Sequence, residues 1–334
     1  MPKTNNATVA VIGGGSWATA LVKILFNNTN NISWWVRKKE TAEYIRTHHH
    51  NPDYISDVEI DTRKVTVTND INETVASANI LLLAVPSAFL KEALKPLFKE
   101  ALKNKIIVSA IKGIIPDDLL IIGEYLNKKW NVPFQNFAVI TGPCHAEEVA
   151  MERLSYLTIA SQNSAAAKKV ASLLGCDFIR TIVSDDIYGT EYAAVLKNVV
   201  AIACGICHGL GYGDNFQAVL VSYSIQEIKR FVDAVHPITR DINDSAYLGD
   251  LLVTAYSQFS RNRTFGTMVG KGYSVKSAQL EMNMVAEGYY AVKGVHQLNK
   301  KLKVKMPVTT AVYNILYEKK SAAKEMKMLT EKIA

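Results

Sequence analysis

A chain of 334 residues with 49% hydrophobic and 21% charged side chains has ordinary globular composition and length for two domains with separate cores, which excludes a disordered or fibrous protein. The formal net charge of +7 comes from Lys and Arg residues spread along the chain and concentrated after Tyr317, so no nucleic-acid partner is expected, and the positive field favours small anionic ligands instead. Four cysteines (Cys144, Cys176, Cys204, Cys207) make no disulfide framework, Met1–Ala7 has no apolar signal core, and the uncharged run Asn198–Gly213 falls short of a spanning helix, so a cytoplasmic chain without stable membrane insertion is expected.

Through the first half, short β-branched runs alternate with helical spacing. Thr8–Ile12, Ile32–Val36, Val65–Thr68, Ile80–Ala84, Ile106–Ala110, Ala138–Thr141, Leu157–Ala160 and Phe178–Val183 read as strands. Trp17–Phe26, Ala88–Lys99 and Ala165–Leu174 read as helices between them, and such alternation implies an α/β domain with a mostly parallel, doubly wound sheet. After Asp185 the texture changes to long helical patterns, such as Tyr188–Ile206 and Phe216–Val235, separated by Gly-rich turns. The predicted division is therefore an α/β domain over 1–185 and an all-helical domain over 186–334.

The first strand runs into Gly13-Gly14-Gly15-Ser16-Trp17-Ala18, which fits the G-x-G-x-x-G/A fingerprint of a Rossmann-like dinucleotide site. Gly13 permits the tight turn, Gly15 lets the backbone approach a pyrophosphate, and Ala18 allows close helix packing, while Ser16 and Trp17 are placed to meet the cofactor. The second predicted strand ends at Arg37-Lys38-Lys39, where an NAD-specific site would place an acid for the ribose hydroxyls. Arg37 and Lys38 suit a 2′-phosphate instead, which favours NADPH and leaves NADH open, the alternative being a solvated charge run.

Further segments combine charge and glycine in ways that packing does not require: Ser109–Ile114, Thr141–Glu148, Val195–Asn198, Leu248–Leu251, Ser260–Arg263 and Val285–Tyr289. Lys197 is the cation of an otherwise apolar helical pattern, where partial desolvation would lower its pKa and fit it for proton exchange, unless its stem packs and its amine reaches water. Asp250 follows a glycine and opens an apolar stretch, which an N-cap would also explain. Ser260-Arg261-Asn262 offers a guanidinium among polar donors, either a phosphate receptor or an exposed basic turn. Lys112 follows a predicted strand, where ligands of open α/β sheets bind.

Taken in order with the glycine loop, these motifs resemble the bacterial-type NAD(P)-dependent glycerol-3-phosphate dehydrogenases, from about Thr8 to Tyr317. The resemblance implies reduction of dihydroxyacetone phosphate to sn-glycerol 3-phosphate for phospholipid synthesis, with Lys197 as general acid/base. It implies substrate contacts at Lys112, Gly142, Cys144, Lys197, Asp250, Ser260, Arg261 and Asn262, with Thr254 sharing the task of Asp250. It implies cofactor contacts at Gly13, Gly15, Ser16, Trp17, Arg37, Lys112, Ala146, Arg261, Val285 and Glu287. Cys144 stands where the family more often has Ser or Thr, so its thiol is a weaker donor there.

Cys204-Gly205-Ile206-Cys207-His208 has haem-attachment spacing but lies in an apolar helical pattern, and His48-His49-His50 point in different directions on any regular element, so no metal is expected. A homodimer is compatible with the sequence. Two rivals remain: a dehydrogenase of an unphosphorylated hydroxyacid on the same plan, and a dinucleotide-sensing regulator without catalysis.

Overall fold

The structure is a computed structural model that describes residues 8–282 and 285–333. The Met1–Ala7 segment, read above as having no apolar signal core, lies outside the described residues. The chain divides into two compact units, the first comprising Met1–Ile111 and Ile122–Ile187, the second Lys112–Ile121 and Tyr188–Ala334.

The first unit is built on strands β1 (Val9–Ile12), β2 (Ile32–Trp35), β3 (Val65–Thr68), β4 (Ile80–Leu83) and β5 (Ile106–Ser109). A short hairpin, β6 (Ile114–Ile115) and β7 (Leu120–Ile121), intervenes before the sheet resumes with β8 (Phe137–Thr141), β9 (Ser155–Ala160) and β10 (Ile179–Ser184). The eight sheet strands run in the order β10-β9-β8-β5-β4-β1-β2-β3. All pairs are parallel except β8 with β9, where Thr141 faces Thr158. Strands β1, β4 and β8 are buried along their whole length, which explains their unbroken apolar runs.

The helices of this unit are α1 (Ser16–Leu25), α2 (Lys39–His48), α3 (Ile71–Ala76), α4 (Leu90–Leu94), α5 (Ile122–Trp130), α6 (Ala146–Ala150) and α7 (Ser164–Leu174). The helix expected over Ala88–Lys99 is reduced to α4, preceded by a single 3-10 turn at Ser87–Phe89. Pro96 accounts for the early stop, because it has no N–H to donate to a further helical turn, while Lys95 before it keeps a helical backbone.

The second unit contains α8 (Ile187–Gly209), α9 (Asp214–Val235), α10 (Asp250–Tyr256), α11 (Arg261–Gly270), α12 (Val275–Glu281), α13 (Glu287–Leu302), α14 (Pro307–Leu316) and α15 (Ala322–Lys332). The hairpin β6–β7 groups with these helices rather than with the strands that flank it in sequence. Its physical cause is local: Ile121 joins the helical core, and Gly294 of α13 has no side chain, so Ile114 packs directly on the helix backbone.

Helix α8 is also longer than expected. It runs from Ile187 to Gly209, one residue before and three after the expected Tyr188–Ile206, and among the described residues it is the one helix long and apolar enough to cross a membrane. Its most apolar window is 89% buried inside the fold, so the same composition serves as the central core helix of the unit.

Candidate functional site

In the first unit, the glycine loop follows β1 directly. Gly13 has φ +140°, and a Cβ there would collide with the carbonyl of Ala84, so the turn admits only glycine. The Gly13 amide donates to the Trp35 carbonyl at 3.1 Å, and the Trp34 indole N–H donates to the Gly13 carbonyl at 2.6 Å, which fixes the loop against β2. Gly15 is the N-cap of α1 and offers no side chain to its amides. A Cβ on Gly15 would meet no atom within 4 Å, so the backbone here faces open space.

Ser16 is buried in the first turn of α1, and the indole N–H of Trp17 is a buried donor with no hydrogen-bond partner among the described residues. An uncapped helix start, an open backbone and an orphaned donor are the features of a receptor for a phosphate-bearing ligand. Arg37 stands exposed just beyond the end of β2, and Lys38 and Lys39 follow it, both exposed.

Beyond β8, Gly142 has φ +108° and sits against the carbonyl of Tyr156, 2.6 Å from where a Cβ would be. Cys144 is buried, and its thiol donates to the Gly142 carbonyl at 3.1 Å, so the thiol proton serves the turn. Ala146 opens α6 after His145, whose side chain makes no capping bond. The hydroxyl of Thr141, which opens the Thr141–Glu148 segment, is buried at the end of β8 with no hydrogen-bond partner among the described residues.

In the second unit, three residues picked separately from the sequence converge. Lys197, 5% exposed on α8, forms an ion pair and hydrogen bond with Asp250, which is 1% exposed on α10. The Lys112 ammonium lies 3.4 Å from the other oxygen of the same carboxylate. The lysine is thus not isolated in an apolar helix. The carboxylate favours the charged form of the amine, against the desolvation that favours the neutral one.

Asp250 does not cap a helix. A turn of π-helix, Ser245–Gly249, runs straight into α10, and the N-cap position falls on Gly249, so the aspartate is free of backbone duty. The Thr254 hydroxyl donates to the Asp250 backbone carbonyl at 2.7 Å, one turn back on its own helix.

Asn198, absent from the expected site residues, donates its side-chain amide to the Lys112 carbonyl at 2.8 Å. Its position beside Lys197 was the one available signal. Ser260 caps α11 by accepting the Arg263 N–H at 3.3 Å, which places Arg261 and Asn262 in the first turn. Asn262 is buried, and its side-chain oxygen accepts the Gly288 N–H at 2.9 Å, joining the start of α11 to the start of α13. Glu287 opens α13 and Val285 precedes it, both partly exposed.

Cys204 and Cys207 are buried in α8, and desolvation pushes both thiols up to about 12, which keeps them protonated and unreactive.

Comparison with known proteins agrees with this geometry. Residues 8–167 match the family model described as NAD-dependent glycerol-3-phosphate dehydrogenase N-terminus, and residues 186–327 match the one described as its C-terminus. The glycerol-3-phosphate dehydrogenase (NAD(P)+) of Oceanobacillus iheyensis is 36% identical over 313 residues, 94% of this chain and 90% of the relative. That of Bacillus subtilis is 36% identical over 312 residues, 92% of this chain and 90% of the relative. The crystal structure of glycerol-3-phosphate dehydrogenase from Coxiella burnetii is similar with a TM-score of 0.89 at 29% identity, covering 97% of this chain and 99% of that one. The chain belongs to the NAD-dependent glycerol-3-phosphate dehydrogenase family.

Proposed function

We propose that this chain reduces dihydroxyacetone phosphate reversibly to sn-glycerol 3-phosphate with NADPH or NADH, NADPH preferred, supplying glycerophospholipid synthesis in the cytoplasm. The observation that carries the reading is the group formed by the buried Lys197 and Asp250 with the half-buried Lys112. Two ammonium groups meet at one carboxylate, which places positive charge where an oxygen becomes negative during reduction of a carbonyl.

Gly13, Gly15, Ser16 and Trp17 would hold the dinucleotide, a fit supported by the open backbone at Gly15 and the orphaned Trp17 donor. Arg37 would pair with a 2′-phosphate, and Lys112, Ala146, Arg261, Val285 and Glu287 would complete the contacts. When bound, the reduced nicotinamide supplies the hydride that arrives at C2.

Lys197 gives its ammonium proton to the C2 oxygen as that oxygen gains charge, and recovers a proton from water afterwards. Asp250 keeps Lys197 charged and oriented beforehand. Lys112 weakens the hold of that carboxylate on the Lys197 proton by competing for it. Ser260, Arg261 and Asn262, at the start of α11, would take the substrate phosphate, with Arg261 as the bidentate donor and the helix amides adding to it. Gly142 and Cys144 would contribute through backbone, since the thiol proton is already donated.

The test is consumption of NADPH, followed by nicotinamide absorbance, with dihydroxyacetone phosphate and separately with unphosphorylated dihydroxyacetone. The reading expects rapid turnover of the ester alone. Equal rates would leave the α11 receptor without purpose and favour a hydroxyacid-type dehydrogenase, and no turnover with binding retained would favour a sensor.

A further inference from the structure

The first turn of α13 is fastened by three helices. On the α11 side, Asn262 accepts the Gly288 N–H, and Ala286, the N-cap of α13, makes no capping bond of its own. On the α8 side, Gly288 packs so close to the Asn198 carbonyl that a Cβ would stand 2.5 Å from its oxygen. On the α14 side, the Tyr317 hydroxyl donates to the Tyr289 carbonyl at 2.8 Å. The rings of these two tyrosines stack, with centroids 4.9 Å apart and planes at 22°. Phe265 of α11 meets the Tyr289 ring edge-on at 6.1 Å.

Tyr317 lies just past the end of α14 and is no part of the lysine and aspartate group. Burial pushes its phenol well above the ordinary tyrosine range, so it remains a donor at any working pH. A helical carbonyl has a second lone pair, and the Tyr317 hydroxyl occupies one at Tyr289, the residue after Gly288. Stack and hydrogen bond together restrain both rotation and sliding of the turn whose amide Asn262 holds.

We propose that Tyr317 is a positioning residue for the anion receptor at Ser260, Arg261 and Asn262, acting through the Tyr289 carbonyl and the Gly288–Asn262 hydrogen bond. The inference rests on the reading of that receptor as a phosphate site, and its first arm is independent of that reading.

The experiment compares Tyr317→Phe, which keeps the ring and removes the hydroxyl, with Tyr313→Phe, which keeps the ring stacked on His296 of α13 and removes a hydroxyl that pairs with Glu318. In the ligand-free protein, hydrogen exchange in the peptide carrying Gly288 should quicken about fivefold in Tyr317→Phe, the equivalent of one ordinary hydrogen bond, and stay unchanged in Tyr313→Phe. In the second arm, Tyr317→Phe should raise the KM for dihydroxyacetone phosphate by a similar factor of about five while kcat holds. Adding it to Asn262→Ala should raise KM no further, because both act through one bond.

Unchanged exchange at Gly288, or an effect spread evenly over the helical unit, overturns the inference. So does a KM effect that multiplies in the double variant, since a merely structural tyrosine acts independently of Asn262. If the parent enzyme fails to reduce dihydroxyacetone phosphate, the functional reading falls, and the exchange arm alone still decides whether Tyr317 holds the turn.

Discussion

Replacing Asp250 by Asn removes the charge that two lysines share while leaving its volume nearly constant. Lys197 is 5% exposed and Asp250 1% exposed, so bulk solvent does little to replace the lost partner. Breaking a buried ion pair from one side costs about 3–5 kcal/mol, because the remaining charge is stranded. A separate limit gives the same range: the stranded lysine can instead become neutral at pH 7, and doing so from a reference near 10.4 costs about 4–5 kcal/mol. Lys112, with its side chain 19% exposed, can turn toward solvent and adds little to this figure.

The expected result is a fall in melting temperature of the order of 10 °C at neutral pH for a unit of this size. The pH dependence has a definite sign. In the variant the folded state holds Lys197 with a lowered proton affinity, so the unfolded state binds more protons and stability rises with pH. The gap to the parent protein should therefore narrow as pH climbs toward 10. Melting followed by circular dichroism between pH 7 and 10 reads both effects, with each variant compared to the parent at the same pH. A variant as stable as the parent at pH 7, or a gap that widens with pH, would refute the claim that the carboxylate holds a buried ammonium.

Glu227 of α9 accepts the Val308 and Thr309 N–H groups and the Thr309 hydroxyl, thereby capping α14, and burial raises its pKa above 4.5. With the folded value raised, its contribution is full below about 4.5 and is lost as pH rises through the folded value, so the advantage of the parent over Glu227→Gln should shrink upward through that window in urea titrations. An advantage that grows with pH would contradict this. Gly266→Ala places a methyl group on the Ile202 carbonyl where α11 crosses α8, and should cost about 1–3 kcal/mol or more in chemical denaturation, against no loss if the helices have room. Arg37→Ala should weaken NADPH about tenfold or more relative to NADH in fluorescence titration, and an unchanged ratio would free Arg37 of any part in cofactor choice.

What the sequence made legible follows from how local each signal is. All eight expected strands of the sheet form, because β-branched runs bounded by glycine or charge carry their own signal; the one antiparallel pair, β8 with β9, has no such mark. The β6–β7 hairpin was missed because its strands are two residues each, and its place is set by Gly294, far along the chain. Lys112, Lys197 and Asp250 were each visible as charges in apolar surroundings, but their sharing of one carboxylate was not, since nothing local encodes it.

The same limit explains the polar residues that fold inward. The N-cap reading of Asp250 was reasonable after a glycine, yet a π-turn carries the helix through that glycine and releases the side chain. Thr254 and Cys144 spend their protons on nearby carbonyls, an economy that sequence spacing does not display. Asn198 and Asn262 brace backbone atoms 86 and 26 residues away, so their duties appear only once the helices are assembled.

The most direct measurement is single-turnover reduction of dihydroxyacetone phosphate by Lys197→Met alongside fluorescence titration with NADPH. The account predicts cofactor affinity close to that of the parent and a chemical step slowed by about two to four orders of magnitude, the usual worth of a positioned proton donor. Hydride transfer at the parental rate in that variant would show that the proton reaches the oxygen by another route.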